Sequence, residues 1–103
     1  MSAALKVTSR AVGDGEIEVT VAGELDLSTV GRFEDAIRDA VAKAAPGRNT
    51  TLDLRGVDYL DSAAINVLFA HAEGIGTVRV PSLLIRGLTI SGLDQIVDVE
   101  AAD

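Results

Sequence analysis

The sequence predicts an α/β domain: a mixed sheet of four to five strands, opening with a hairpin, with about three helices packed mainly on one face. Three observations lead there. Ile17, Val19 and Val21 alternate with Glu16, Glu18 and Thr20, the period of two of a half-buried strand. Val30, Phe33, Ile37, Ala40, Val41 and Ala44 recur at helical spacing, with Arg32, Glu34, Asp35, Arg38 and Asp39 largely elsewhere. Beyond them, short β-rich runs and apolar helical runs take turns to the end of the chain, the alternation of an α/β domain. At 103 residues the chain fits one domain, spanning 1–103.

The elements follow in order. Leu5, Val7 and Val12 mark a weak first strand, and Gly13-Asp14-Gly15 reads as a turn, since Gly and Asp tolerate positive φ. The strand through Ile17–Val21 then completes an antiparallel hairpin and ends at Gly23-Glu24-Leu25-Asp26. Ser28 is the expected N-cap of the first helix, which Pro46-Gly47 closes. Thr51-Leu52-Asp53-Leu54 forms the next strand, parallel to the second through a right-handed crossover. Gly56 to Leu60 leads into Asp61-Ser62, where a helix starts that is apolar on most sides and therefore expected to be buried. Gly74-Ile75-Gly76 ends it. Thr77–Val80 is a short strand, Pro81-Ser82 opens the last helix, and Gly92 stops it near Ser91. Ile96, Val97 and Val99 suggest a final edge strand before an acidic tail.

Composition narrows the function. With 48% hydrophobic but only 3% aromatic residues, the interior has to be built from Val, Leu, Ile and Ala. The chain has no cysteine, which removes disulfides, thiolate metal sites and cysteine nucleophiles and fits a cytoplasmic location. Met1 to Lys6 lacks the apolar core of a secretory leader, and no run approaches the roughly 20 apolar residues of a membrane helix. Sixteen acidic against nine basic residues give a net charge of −7. That disfavours nucleic acid and anionic membranes and favours a partner with a basic face.

Few residues carry chemistry. Asp61-Ser62 sits at a strand-to-helix turn, where either residue can cap the helix by accepting a backbone N–H. The same position makes Ser62 accessible to a kinase, and phosphate there would add about −1.5 to −2 charges. His71 is the lone histidine. Nine helical residues separate it from Ser62, roughly 13 Å of rise, so the two cannot form a hydrolytic dyad, and it reads as a helix-surface residue. Gly74-Ile75-Gly76 follows a helix and is too short for a dinucleotide fingerprint. The acidic residues are dispersed without metal-ligand spacing. Neither a catalytic group, a metal nor a cofactor is expected.

Gly23-Glu24-Leu25-Asp26, Leu52-Asp53-Leu54, Asp61-Ser62 and Ser91-Gly92-Leu93-Asp94 occur in the order and layout of STAS domains, and nearly the whole chain resembles the anti-sigma factor antagonists of bacterial partner switching. The resemblance implies a non-enzymatic switch. Ser62 matches the serine phosphorylated by an anti-sigma factor that is itself a serine kinase; unphosphorylated, such a protein binds that kinase and frees a sigma factor. It also implies that Glu24, Asp26, Asp61, Ser62 and Ala63 contribute to the partner surface. The chain departs from the family at Ala64, where a Gly is usual, and between Ser62 and Gly92, which is several residues shorter. The other role the family offers is a constitutive docking subunit of a lipid-transport ATPase or stressosome-type assembly, with Ser62 unmodified.

Overall fold

The computed structural model describes residues 5–102. Five strands form one sheet in the order β1-β2-β3-β4-β5: β1 (Lys6–Gly13), β2 (Glu16–Leu25), β3 (Thr50–Leu60), β4 (Ile75–Val80) and β5 (Asp98–Ala101). β1 and β2 pair antiparallel across the Asp14-Gly15 turn, as the period-two pattern predicts, and every later neighbour is parallel. Three helices provide the crossovers: α1 (Val30–Lys43), α2 (Ser62–Ala70) and α3 (Ser82–Ser91). Because β2 to β5 step across the sheet in one direction, crossovers of one hand place all three helices on the same face.

That face holds the core. Val19, Val21, Leu52, Leu54, Val78 and Val80 meet Phe33, Ile37 and Ala40 of α1, Ala64, Val67 and Leu68 of α2, and Leu88 of α3. The alternate residues form polar rows on the opposite face. In register run Thr8, Thr20, Asp53, Arg79 and Glu100, and beside them Arg10, Glu18, Thr51, Thr77 and Asp98. Glu18 pairs with both Arg10 and Arg79, and Asp53 takes the Arg55 fork through Nε and Nη2 at 2.9 and 2.7 Å. Asp53 is only 5% exposed, so this pairing is what makes its charge tolerable on a sheet face.

The β2–β3 ladder contains two bulges. Thr20↔Asp53 gives way to Ala22↔Gly56, and Gly23↔Val57 to Glu24↔Tyr59, so β3 gains a residue at each step. A Cβ on Gly56 would stand 2.8 Å from the Ala22 Cβ, so glycine lets the strands close at the first bulge. The bulges carry β3 to Leu60, so Gly56–Leu60, expected as a connection, is strand. It ends beside Leu25, the last residue of β2.

Four further expectations are corrected. Helix α1 starts at Val30 behind Thr29, and Ser28 lies outside it. Helix α2 ends at Ala70, and residues Ala72–Gly74 form a short 3₁₀ turn. Its burial is one-sided: Ala64 and Leu68 are fully enclosed, while Phe69 is 38% exposed at the solvent side. The last strand starts at Asp98 rather than Ile96 and takes up Glu100 of the expected tail; Asp103, like Met1–Ala4 of the expected leaderless start, lies outside the described residues. Gly92 ends α3 in the left-handed conformation, φ 88°, as a C-terminal glycine should.

Candidate functional site at the carboxyl end of the sheet

Two loops meet where β2 and β3 end. The Asp61 amide donates to the Leu25 carbonyl at 3.1 Å, which fastens the start of α2 to the end of β2. Asp61 is extended (φ −105°, ψ −176°), and its Oδ1 accepts the amides of Ala63 at 2.9 Å and Ala64 at 3.3 Å. The cap is therefore the aspartate. Ser62 is the first helical residue, it is exposed, and its hydroxyl is in no hydrogen bond with another described residue. Of the two capping arrangements that the sequence allows, the structure takes the one that leaves the serine free.

Asp26 lies one residue past Leu25, in a turn of its own making. Its Oδ1 accepts the Ser28 amide at 2.9 Å and the Ser28 hydroxyl at 2.6 Å. Its own amide donates to Thr29 Oγ1 at 3.0 Å, and that hydroxyl donates to the Glu24 carbonyl at 2.8 Å. The Ser28 hydroxyl, foremost, and the Ser28 and Thr29 backbone hold the Asp26 carboxyl below the usual carboxylate range against a smaller opposing effect of burial. Asp26 is thus a fixed anion beside the Ser62 loop. Glu24 contributes its backbone carbonyl to this turn.

The structure brings Asp26, Asp61, Ser62 and Ala63 to one end of the domain. It adds Ser28 and Thr29, whose roles were not foreseen. The signal was present: Asp-x-Ser-Thr is the pattern of an Asx turn closed by a hydroxyl, which competes with a simple serine cap. Ala64 points into the core with no exposed surface, so its methyl group is packing rather than docking surface.

His71 is not a free surface residue. At the end of α2 its Nε2 lies 2.9 Å from Glu34 Oε2 of α1, which joins the two helices, and Ser62 is at the helix's other end. No group of three His, Cys, Asp or Glu side chains among the described residues is placed to hold a metal ion. An open depression of about 300 Å³ lined by Arg48, Gly76, Asp94 and Asp98 lies at the amino ends of β3–β5, the pole opposite Ser62. No helix among the described residues is long and apolar enough to cross a membrane.

Comparison with known proteins agrees with this fold. Residues 9–98 match the family model described as "Mlab, STAS domain". The anti-sigma-F factor antagonist RsfB of Mycobacterium tuberculosis is 31% identical over 88 residues, covering 80% of this chain and 70% of its own. The crystal structure of an anti-sigma factor antagonist from Mycobacterium paratuberculosis superposes with a TM-score of 0.84 at 27% identity, covering 99% of this chain and 92% of that one. The Bacillus cell fate determinant SpoIIAA, solved in its phosphorylated form, shares the fold with a TM-score of 0.64 at 17% identity, over 93% and 92% of the two chains. The chain belongs to the STAS domain family and is similar over most of its length to anti-sigma factor antagonists.

Proposed function

We propose that this protein is an anti-sigma factor antagonist, a non-enzymatic switch that binds an anti-sigma factor through the Asp26 and Ser62 end and releases it when Ser62 is phosphorylated. The observation that carries the reading is the division of labour at the α2 start. Asp61 occupies the Ala63 and Ala64 amides, which leaves the Ser62 hydroxyl exposed and unbonded.

The same division explains why phosphate would act as a release signal. A helix N-terminus ordinarily welcomes an anion through its free amides. Here the carboxylate of Asp61 already holds two of them. A phosphate on Ser62 therefore projects its charge outward, beside the Asp26 and Asp61 carboxylates, and against whatever is docked there. The partner would lose contact through like-charge repulsion and the cost of desolvating the dianion.

The chain supplies the acceptor and no catalytic group. The anti-sigma factor, acting as a serine kinase in the cytoplasm, transfers the γ-phosphoryl of bound ATP to Ser62 Oγ, takes up the hydroxyl proton and releases ADP. The test is incubation with that kinase and Mg²⁺-ATP followed by intact mass. The wild type should gain one phosphate and Ser62→Ala none, with Ser62→Ala still binding the kinase. Phosphate on Ser62→Ala, or none on either chain, contradicts it.

A further inference from the structure

The two oxygens of the Asp26 carboxylate are in different circumstances. Oδ1 accepts the Ser28 amide at 2.9 Å and the Ser28 hydroxyl at 2.6 Å, with Thr29 Oγ1 at 3.5 Å. Oδ2 accepts from no described residue. A carboxylate oxygen has two lone pairs, so the two close donors fill Oδ1 while Oδ2 stays open. The backbone beneath the carboxyl is fixed as well. The Asp26 amide donates to Thr29 Oγ1, and the Asp26 carbonyl accepts the Thr29 and Val30 amides at 3.0 and 2.9 Å.

No described Lys, Arg or His forms an ion pair with Asp26. On the sheet face the chain answers its held carboxylates itself: Glu18 pairs with Arg10 and Arg79, and Asp53 with Arg55. An unpaired surface carboxylate is ordinary when its side chain turns freely in water. This one does not. At 2.6 Å the bond from the Ser28 hydroxyl is in the short, charge-assisted class. That hydroxyl is also the foremost cause of the lowered Asp26 carboxyl. Ser28 is exposed and lies outside α1, and its hydroxyl bonds to nothing else among the described residues. A hydroxyl that the helix does not use therefore holds still a carboxylate that nothing in the chain answers.

We infer that Ser28 is a positioning residue for docking, which holds Asp26 so that Oδ2 alone meets the anti-sigma factor. This rests on the function proposed above. With Oδ1 taken, Asp26 cannot receive a guanidinium fork through both oxygens. The group it fits on the partner is a cationic N–H donor that makes one bond. Holding the side chain in place beforehand spares the complex the entropy of ordering it on binding.

Ser28→Ala removes the hydroxyl and keeps the amide bond to Oδ1, so the turn stays closed. Asp26→Asn keeps an oxygen for Ser28 and puts an NH₂ donor in place of the open Oδ2. The test is calorimetric titration of purified anti-sigma factor with wild type, Ser28→Ala, Ser28→Thr, Asp26→Asn and the double variant of Ser28→Ala with Asp26→Asn. Each chain is checked by thermal melting, and the Asp26 carboxyl is titrated by carbon NMR where it is present. Ser28→Ala should bind about three- to tenfold more weakly, and its Asp26 carboxyl should titrate closer to the usual carboxylate range. Ser28→Thr should restore both. Asp26→Asn should weaken binding by about tenfold or more, and Ser28→Ala should cost nothing further in that background, because Ser28 acts through Asp26. Wild-type affinity or an unmoved Asp26 titration in Ser28→Ala, or a full second loss in the double variant, would overturn the positioning role while leaving the proposed function standing. Wild-type affinity in Asp26→Asn would overturn it too, by taking Asp26 out of the contact. No binding by the wild type would overturn the functional reading, and the role of Ser28 with it.

Discussion

Replacing Asp61 by alanine isolates the side chain that exposes Ser62. The backbone link from the Asp61 amide to the Leu25 carbonyl survives the change; the two bonds to Oδ1, from the Ala63 and Ala64 amides, do not. Losing an aspartate N-cap costs about 1 kcal/mol, with a range of roughly 0.5–2. Here two amides lose their acceptor, and a negative charge leaves the positive end of the α2 dipole, so the upper half of that range applies, about 1–2 kcal/mol. For a domain near 100 residues each kcal/mol lowers the melting temperature by roughly 4–8 °C. Asp61→Ala should therefore melt about 5–15 °C below wild type in a calorimetric or circular-dichroism scan. Asp61→Asn keeps an oxygen acceptor and should recover most of the loss. An alanine variant within about 0.3 kcal/mol of wild type would refute the assignment of the cap to Asp61. An asparagine variant as unstable as alanine would show that charge, and not the pair of hydrogen bonds, does the work.

Three further effects are expected. Thr50 is fully buried at the start of β3 and its Oγ1 has no hydrogen-bond partner, so Thr50→Val should raise stability by about 1 kcal/mol in urea unfolding. Gly56→Ala places a methyl 2.8 Å from the Ala22 Cβ and 3.3 Å from its Cα, and should cost about 1–3 kcal/mol in urea unfolding. Asp53 has its carboxyl held below the usual range, chiefly by the Arg55 side-chain hydrogen bonds, against a smaller effect of burial. Its stabilisation is complete above the unfolded carboxylate value of about 3.9 and is lost as the pH falls through the lower folded value. Wild type should thus lose urea resistance more steeply than Asp53→Asn below about pH 5, and parallel curves would contradict the pairing.

How far the sequence could be read depended on the kind of information each feature needs. The hairpin and α1 were legible because their signals are periodic: Ile17, Val19 and Val21 on one face of a strand, and Phe33, Ile37 and Ala40 on one stripe of a helix. Gly92 was legible because a left-handed residue nearly demands glycine. The stretch from Gly56 to Leu60 was not. Its two bulges break the alternation, and they are set by how closely β2 can approach at Ala22, a contact distant in sequence. Ser28 does not cap α1 for a local reason: Asp26 captures its amide and hydroxyl, which leaves Thr29 to precede the helix. The partner of His71 is hidden for a distant one, since Glu34 is 37 residues away. At the site itself, the Asp61-Ser62 pair was visible as chemistry, but which of the two caps α2 depends on backbone angles that the pair alone does not specify.

On the function proposed above, one phosphate on Ser62 separates this chain from its anti-sigma factor. The most direct measurement is the dissociation constant for purified anti-sigma factor, taken with the same preparation before and after phosphorylation and with Ser62→Ala carried through the same treatment. The unmodified chain, and Ser62→Ala throughout, should bind tightly, with a loss of about a hundredfold or more once Ser62 carries phosphate, the size expected when a dianion is forced into a desolvated contact. Equal affinity before and after phosphorylation, with mass spectrometry showing the phosphate on Ser62, would contradict it.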